Sequence, residues 1–222
     1  MLNPNRLLTT MAASALLMAV AGCKSDDGRV SESAQLVEGI LSARTSTGAA
    51  AADIDHVLAA LTELQGEADM QGSFKKYIAA VDVVEADDGR TQDRLADMNA
   101  RRDAYLVRWE AGMAQVQNPS VRRGMEDRRN RVAARFNSLT DSARSLHEAY
   151  VPFVKDLREL QTAFSLDLTT AGIASLKPAI EDIKRDGAQL KRRLSAYEDE
   201  LNDTIDKMSV PPVTVPTTAA TQ

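Results

Sequence analysis

The chain has 222 residues, a formal net charge of −5, and 4% aromatic against 27% charged residues. Mild acidity argues against a general nucleic-acid binder, and a single cysteine excludes an internal disulfide, so packing alone must hold the core. Scarce aromatics with plentiful Ala, Leu, Glu, Asp and Arg fit long helices or coiled coil better than a sheet domain.

Residues 1–6 carry one positive side chain, Arg6, and no acid. An apolar run follows from Leu7 to Val20, interrupted by Thr9, Thr10 and Ser14. At about 14 residues it is shorter than the roughly 20 that a bilayer core needs, so it reads as a signal-peptide apolar segment. The run ends in Val20-Ala21-Gly22-Cys23. Small residues there let a signal peptidase close around the backbone, and the Cys23 thiol can accept a diacylglycerol. The four residues resemble the lipobox of bacterial lipoproteins. An ordinary secretory signal with an incidental cysteine is the alternative. It fits less well, because a lone free thiol is an odd group to export into an oxidising compartment.

The lipobox resemblance implies a signal peptide over 1–22 and cleavage before Cys23. Diacylglycerol and an N-acyl chain on Cys23 would be the only non-protein group, making membrane attachment effectively permanent. Loss of Arg6 would take the net charge from −5 to −6. In such lipoproteins an Asp after the lipidated cysteine favours the inner membrane; Lys24 here favours the periplasmic face of the outer membrane of the cell envelope.

Residues 23–28 form a short lipidated tether, and 29–208 the folded domain. The first helix is expected from about Val30 to Gln65, with Val37, Ile40, Leu41, Ile54, Val57, Leu58, Leu61 and Leu64 apolar, and with Thr45-Ser46-Thr47-Gly48 as a place where it breaks or loosens. Gly66 to Gly72 reads as a loop. A second helix from about Ser73 carries Phe74, Tyr77, Ile78, Val81 and Val84; Asp87-Asp88-Gly89 is a place where it can become irregular, and the pattern resumes at Leu95, Met98, Arg102, Tyr105, Trp109, Met113 and Val116.

Asn118-Pro119 is the sharpest boundary, because Asn caps well and Pro suits the first helical position. The third helix places Val132, Phe136, Leu139, Ala143, Leu146, Tyr150, Phe153, Leu157, Leu160 and Phe164 at alternating spacings of 4 and 3, a sustained heptad seam. The seam does not slip at Pro152, which predicts a kink and not a break. A turn over Asp167 to Gly172 is capped by Thr169 or Thr170. The last helix carries Ile173, Leu176, Ile180, Ile183, Gly187, Leu190, Leu194, Tyr197, Leu201, Ile205 and Met208, with Pro178 in its first turns and Gly187 where helices could approach closely. Residues 209–222 are rich in Pro and Thr and are expected to be disordered. The fold class is all-α: an elongated antiparallel bundle of three to four long helices with coiled-coil packing.

No arrangement for chemistry emerges. His56 and His147 lack the second ligand that a metal site needs, and they read as surface or boundary residues. No nucleophile elbow or phosphate loop occurs. The acid-rich stretch Asp82 to Asp88 does not alternate as a calcium loop requires and reads as a solvated helix face. The most distinctive charge feature is Arg122, Arg123, Arg128, Arg129, Arg131 and Arg135, opposed by Glu126 and Asp127. Arginine forks can bind lipid phosphates, lipopolysaccharide or an acidic partner. The favoured reading is structural, with these arginines pairing with acids of neighbouring helices, the acidic second helix among them.

Trp109-Glu110, Gln117-Asn118-Pro119, Tyr150-Val151-Pro152-Phe153, Asp156-Leu157 and the turn Leu166-Asp167-Leu168-Thr169-Thr170-Ala171-Gly172-Ile173 together resemble an uncharacterised bacterial family, domain of unknown function 2959. The resemblance runs from about Val30 to Met208. It implies a helical, coiled-coil-like envelope protein and no activity. The chain is therefore expected to be non-enzymatic, with no metal, a structural or interaction protein that spaces or scaffolds envelope components. Its expected partners are the membrane, an envelope protein, lipid or cell-wall component, or further copies of itself, and not nucleic acid. The alternative is a carrier of a small apolar or lipid ligand, in which Gly187 and Met98, Met113, Met125 and Met208 leave space.

Overall fold

The computed structural model describes residues 27–66 and 69–208, and of residues 27–32 it describes the backbone alone. The signal segment, Val20, Ala21, Gly22 and Cys23, the tether up to Asp26 and the Pro/Thr tail lie outside the described residues. The described chain forms α1 (Asp27–Leu64), α2 (Met70–Met113), α3 (Pro119–Leu166), the short α4 (Thr170–Ser175) and α5 (Lys177–Met208), with no strand among the described residues. None of these helices is long and apolar enough to cross a membrane.

Local chemistry sets the helix starts. The Asn118 side chain accepts hydrogen bonds from the backbone N–H groups of Ser120 (2.9 Å) and Val121 (3.3 Å), and Pro119 occupies the first helical position. Asp69 accepts from Gly72 N–H at 2.9 Å, so α2 starts at Met70, earlier than Ser73. Thr169 is the cap of α4, accepting from Gly172 N–H at 3.0 Å.

Cross-helix bonds give the topology. Lys76 meets Glu63 (2.9 Å), while Arg101 donates to the Gln35 carbonyl (3.1 Å), so α1 and α2 run antiparallel. Thr140 donates to Asn99 (3.0 Å) and Tyr77 to the Leu157 carbonyl (2.8 Å), which sets α3 antiparallel to α2. Arg128 donates to the Lys207 carbonyl (2.8 Å) and Arg193 to Ser145 (3.4 Å), linking α3 to an antiparallel α5. Arg44 to Asn202 (3.0 Å) and Lys184 to Gln65 (3.0 Å) close the ring between α5 and α1. The result is an up-down-up-down bundle of four long helices. Its longest member, α3, has 48 residues and spans about 70 Å.

The core is a set of heptad seams. All ten expected seam residues of α3 are buried. In α1 the seam is Leu36, Ile40, Ala43, Thr47, Ala50, Ile54, Val57, Leu61 and Leu64, all buried. Thr45 to Gly48 therefore does not break α1. The Thr47 hydroxyl donates back to the Ala43 carbonyl (2.9 Å) and Thr45 to Leu41 (3.0 Å), satisfying the polar groups inside the helix.

Asp87-Asp88-Gly89 does not interrupt α2 either, and α2 runs on through them. Its seam passes Ser73, Tyr77, Ala80, Val84 and Asp87, which puts a carboxylate at a core position. α3 runs unbroken through Pro152. Pro152 and Glu148 are both exposed, so the carbonyl left without its helical partner is on the solvent side.

The last helix expected from the sequence is two. A turn at Leu176 separates α4 from α5, and Pro178 falls in the first turn of α5, where its missing N–H leaves no helical bond unmade. In α5 the buried seam residue after Leu201 is Thr204 and not Ile205, which is only partly buried. Thr204 donates to the Glu200 carbonyl at 2.8 Å.

Candidate functional site

Two regions carry more than packing: the arginine-rich start of α3 and a polar layer at mid-bundle. Four of the six arginines are used internally. Arg122 donates to the Val116 carbonyl in the α2–α3 turn (2.8 Å), and Arg128 to Lys207 at the end of α5. Arg129 pairs with Glu110 of α2, and Arg135 with Asp203 of α5. Hydrogen bonds from Lys207 and then Arg135 hold the Asp203 carboxyl below the usual carboxylate range. Two of the six, Arg129 and Arg135, therefore make the expected pair with an acid of a neighbouring helix, one on α2 and one on α5. Arg123 and Arg131 are exposed and have no side-chain partner among the described residues.

The arginines surround a thin part of the bundle. Arg128 lies level with the last turn of α5, so the first turns of α3 and the end of α2 project beyond it by about 13 Å. There Met113, Val116 and Met125 are only partly buried and Val121 is exposed, and just inside it Tyr105 and Trp109 are partly buried and Val107 is exposed. Tyr105 and Trp109 stack obliquely with centroids 5.6 Å apart.

The polar layer escaped sequence reasoning. Asp82 and Glu85 are exposed and both pair with Arg158 of α3, but Asp87 is 3% exposed, so the stretch is not simply a solvated face. Arg90 pairs with Asp87 Oδ1, while Asp87 Oδ2 faces no donor. Burial first, opposed by Arg90 and reinforced by the neighbouring Asp53 carboxyl of α1, raises the Asp87 pKa. Two carboxylates side by side hydrogen-bond only when one keeps its proton. His147 Nδ1 donates to Asp88 Oδ1 (2.7 Å) and the Tyr150 hydroxyl to the Val84 carbonyl (3.1 Å). The signal for this layer was the seam itself: extending Tyr77, Ala80 and Val84 by three residues lands on Asp87.

His56 is exposed, and among the described residues no group of three or more His, Cys, Asp or Glu is placed to hold a metal ion. An open depression of about 490 Å³ lies at the end opposite the α2–α3 turn, lined by Leu64, Gln65, Met70, Ile173, Ala174 and Lys177 among others. Gly187 leaves no gap: Leu58 and Phe153 fill the space in front of it, so that an added Cβ would stand 3.0 Å from Leu58 Cδ1 and 3.2 Å from Phe153 Cε2.

Residues 29–208 match the family described as protein of unknown function (DUF2959), and the chain belongs to that family. Neither a curated protein nor a solved structure gives a significant match.

Proposed function

We propose that this member of the family is a lipid-anchored, non-enzymatic spacer or scaffold of the bacterial cell envelope. Lipid on Cys23 holds it to the periplasmic face of the outer membrane, and the far end of its bundle is offered to another envelope component. The observation that carries this reading is the combination of a lipobox-like motif four residues before α1 with an antiparallel bundle about 70 Å long. Attachment at one end of such an object sets a fixed reach from the membrane. The first turn of α1 and the α2–α3 turn share the end nearest Cys23, because Arg101 bonds the Gln35 carbonyl and so sets Asp27 about level with Trp109. The α1–α2 turn and α4 then lie at the far end, where Leu166 is 84% exposed.

The decisive experiment is in-cell photocrosslinking from position 166, with position 121 as the near-membrane control. Recovery of a protein or cell-wall component from 166 supports the reading; a crosslink pattern identical at both positions sinks it. The second reading, a carrier of a small apolar or lipid ligand, is favoured by the depression at that same far end. Native mass spectrometry of protein taken from its own membrane decides it. A co-purifying lipid displaced by Ile173→Trp would favour the carrier.

A further inference from the structure

The α2–α3 turn is at the same end of the bundle as the first turn of α1. Cys23 precedes Asp27 by four positions, a reach of at most about 14 Å. The hairpin end beside that start combines three properties. Between Glu110 and Glu126 the chain has no acid and two arginines, Arg122 and Arg123. Arg123 is exposed and has no partner among the described residues. Val121 beside them is 50% exposed, and Val116 is only partly covered.

Exposed arginine next to exposed apolar side chains, with the nearest acids, Glu126 and Asp127, one turn further along α3, is the pattern of a surface that meets lipid headgroups. At the opposite end Glu63, Glu181 and Asp182 are paired with Lys76, Lys184 and Arg185, so no basic excess stands there to compete for an anionic surface.

We propose that the α2–α3 turn docks on the anionic lipid phosphates of the membrane that holds Cys23, with Arg123 as the phosphate-facing group and Val121 as the apolar contact, and that this docking stands the bundle upright. The inference rests on the anchor reading above and adds an orientation to it. It also assigns a use to Arg123, one of the two arginines that internal pairing leaves over among the described residues.

With Cys23 acylated, a cysteine introduced at Val121 is the only free thiol in the chain. The test places an environment-sensitive fluorophore on Val121→Cys in the lipidated full-length protein, and on Leu166→Cys as the far-end control. Both are reconstituted into neutral phosphatidylcholine vesicles and into vesicles with about 30% phosphatidylglycerol. The expected result is a blue shift at 121 in anionic vesicles only, cut by at least half in about 0.5 M salt, with no change at 166. Arg123→Glu with Gln115→Glu, both exposed positions without side-chain partners among the described residues, should abolish the shift with helicity intact.

Acylated protein that floats with both vesicle types but shows the same emission at 121 in each overturns the docking and leaves the anchor standing. Absence of acyl chains on Cys23 by mass spectrometry overturns the anchor and the docking with it.

Discussion

Tyr77 and Tyr150 clasp α2 and α3 reciprocally. The Tyr77 hydroxyl donates to the carbonyl of Leu157, one heptad beyond Tyr150, and the Tyr150 hydroxyl donates to the carbonyl of Val84, one heptad beyond Tyr77. Each phenol is at a seam position and nearly or fully buried, so its O–H must find a partner within the protein. Phe164 packs edge-on against Tyr77 at 5.9 Å and steadies that ring. Each clasp pins α3 to α2 at a fixed register.

Removing one hydroxyl leaves a helical carbonyl that keeps its own N–H partner, so the loss is close to one net hydrogen bond. Tyr77→Phe and Tyr150→Phe should each cost about 1 kcal/mol, seen as a fall of about 2–4 °C in melting temperature. The two bonds are about 10 Å apart along the helices, so the double variant should be additive to within about 0.5 kcal/mol. Denaturant titration checks both values. Coupling well above that would mean that the clasps act as one unit.

The same burial governs behaviour at high pH. All four tyrosines of the chain, Tyr77, Tyr105, Tyr150 and Tyr197, have pKa values raised chiefly by desolvation. A phenol raised in the folded state favours folding fully below its unfolded value near 10. That contribution is lost as pH climbs from about 10 toward the folded value. The expected outcome is a single cooperative alkaline transition, in which phenolate absorbance and loss of helical circular dichroism rise together. Smooth ionisation of two or more tyrosines near pH 10 with the helices intact would contradict it.

Asp87 gives a pH dependence at the other end of the scale. Its folded-state pKa is raised, so the folded protein holds a proton that the unfolded chain releases near pH 4. Stability from this group is therefore full in acid and falls as pH rises above about 4 toward the folded value. Asp87→Asn keeps an acceptor for Arg90 and offers Asp53 a donor at every pH. The melting-temperature difference between variant and parent should thus grow in favour of the variant from about pH 4 to pH 7. A difference that stays constant over that range would mean that Asp87 is charged throughout.

The α3 seam was legible in full because its core positions are large and apolar, from Val132 to Phe164, and nothing interrupts the spacing. The α1 seam was half hidden. Ala43, Thr47 and Ala50 hold its middle, and small or hydroxylated residues carry little periodic signal although they are 5%, 1% and 1% exposed. The break at Leu176 was blurred for a related reason: Ile173, Leu176 and Ile180 keep helical spacing across it, so the apolar pattern conceals the turn. For the arginine cluster the sequence supplied the residues and their favoured use. Which of them remains free depended on where α5 ends, and only the fold fixes that, through Arg128 and Lys207. Asp87 was read as surface because a carboxylate weighs against burial in any pattern; its seam spacing outweighed its chemistry.

Gly187 is the clearest place to test the packing. It occupies an α5 seam position between Leu190 and Ile183, where Leu58 of α1 and Phe153 of α3 close over the backbone. A methyl group would gain about 1 kcal/mol of helix propensity but would press on two side chains that must each yield a few tenths of an ångström. Gly187→Ala should therefore be close to neutral. Gly187→Leu has no room without moving Phe153, and overpacking of this kind costs about 1–3 kcal/mol. Denaturant midpoints with unchanged slopes should put the parent and the Ala variant close together and the Leu variant below both. A Leu variant as stable as the parent would show that α5 can draw away from α1 and α3, opening the interior space that a carrier would need.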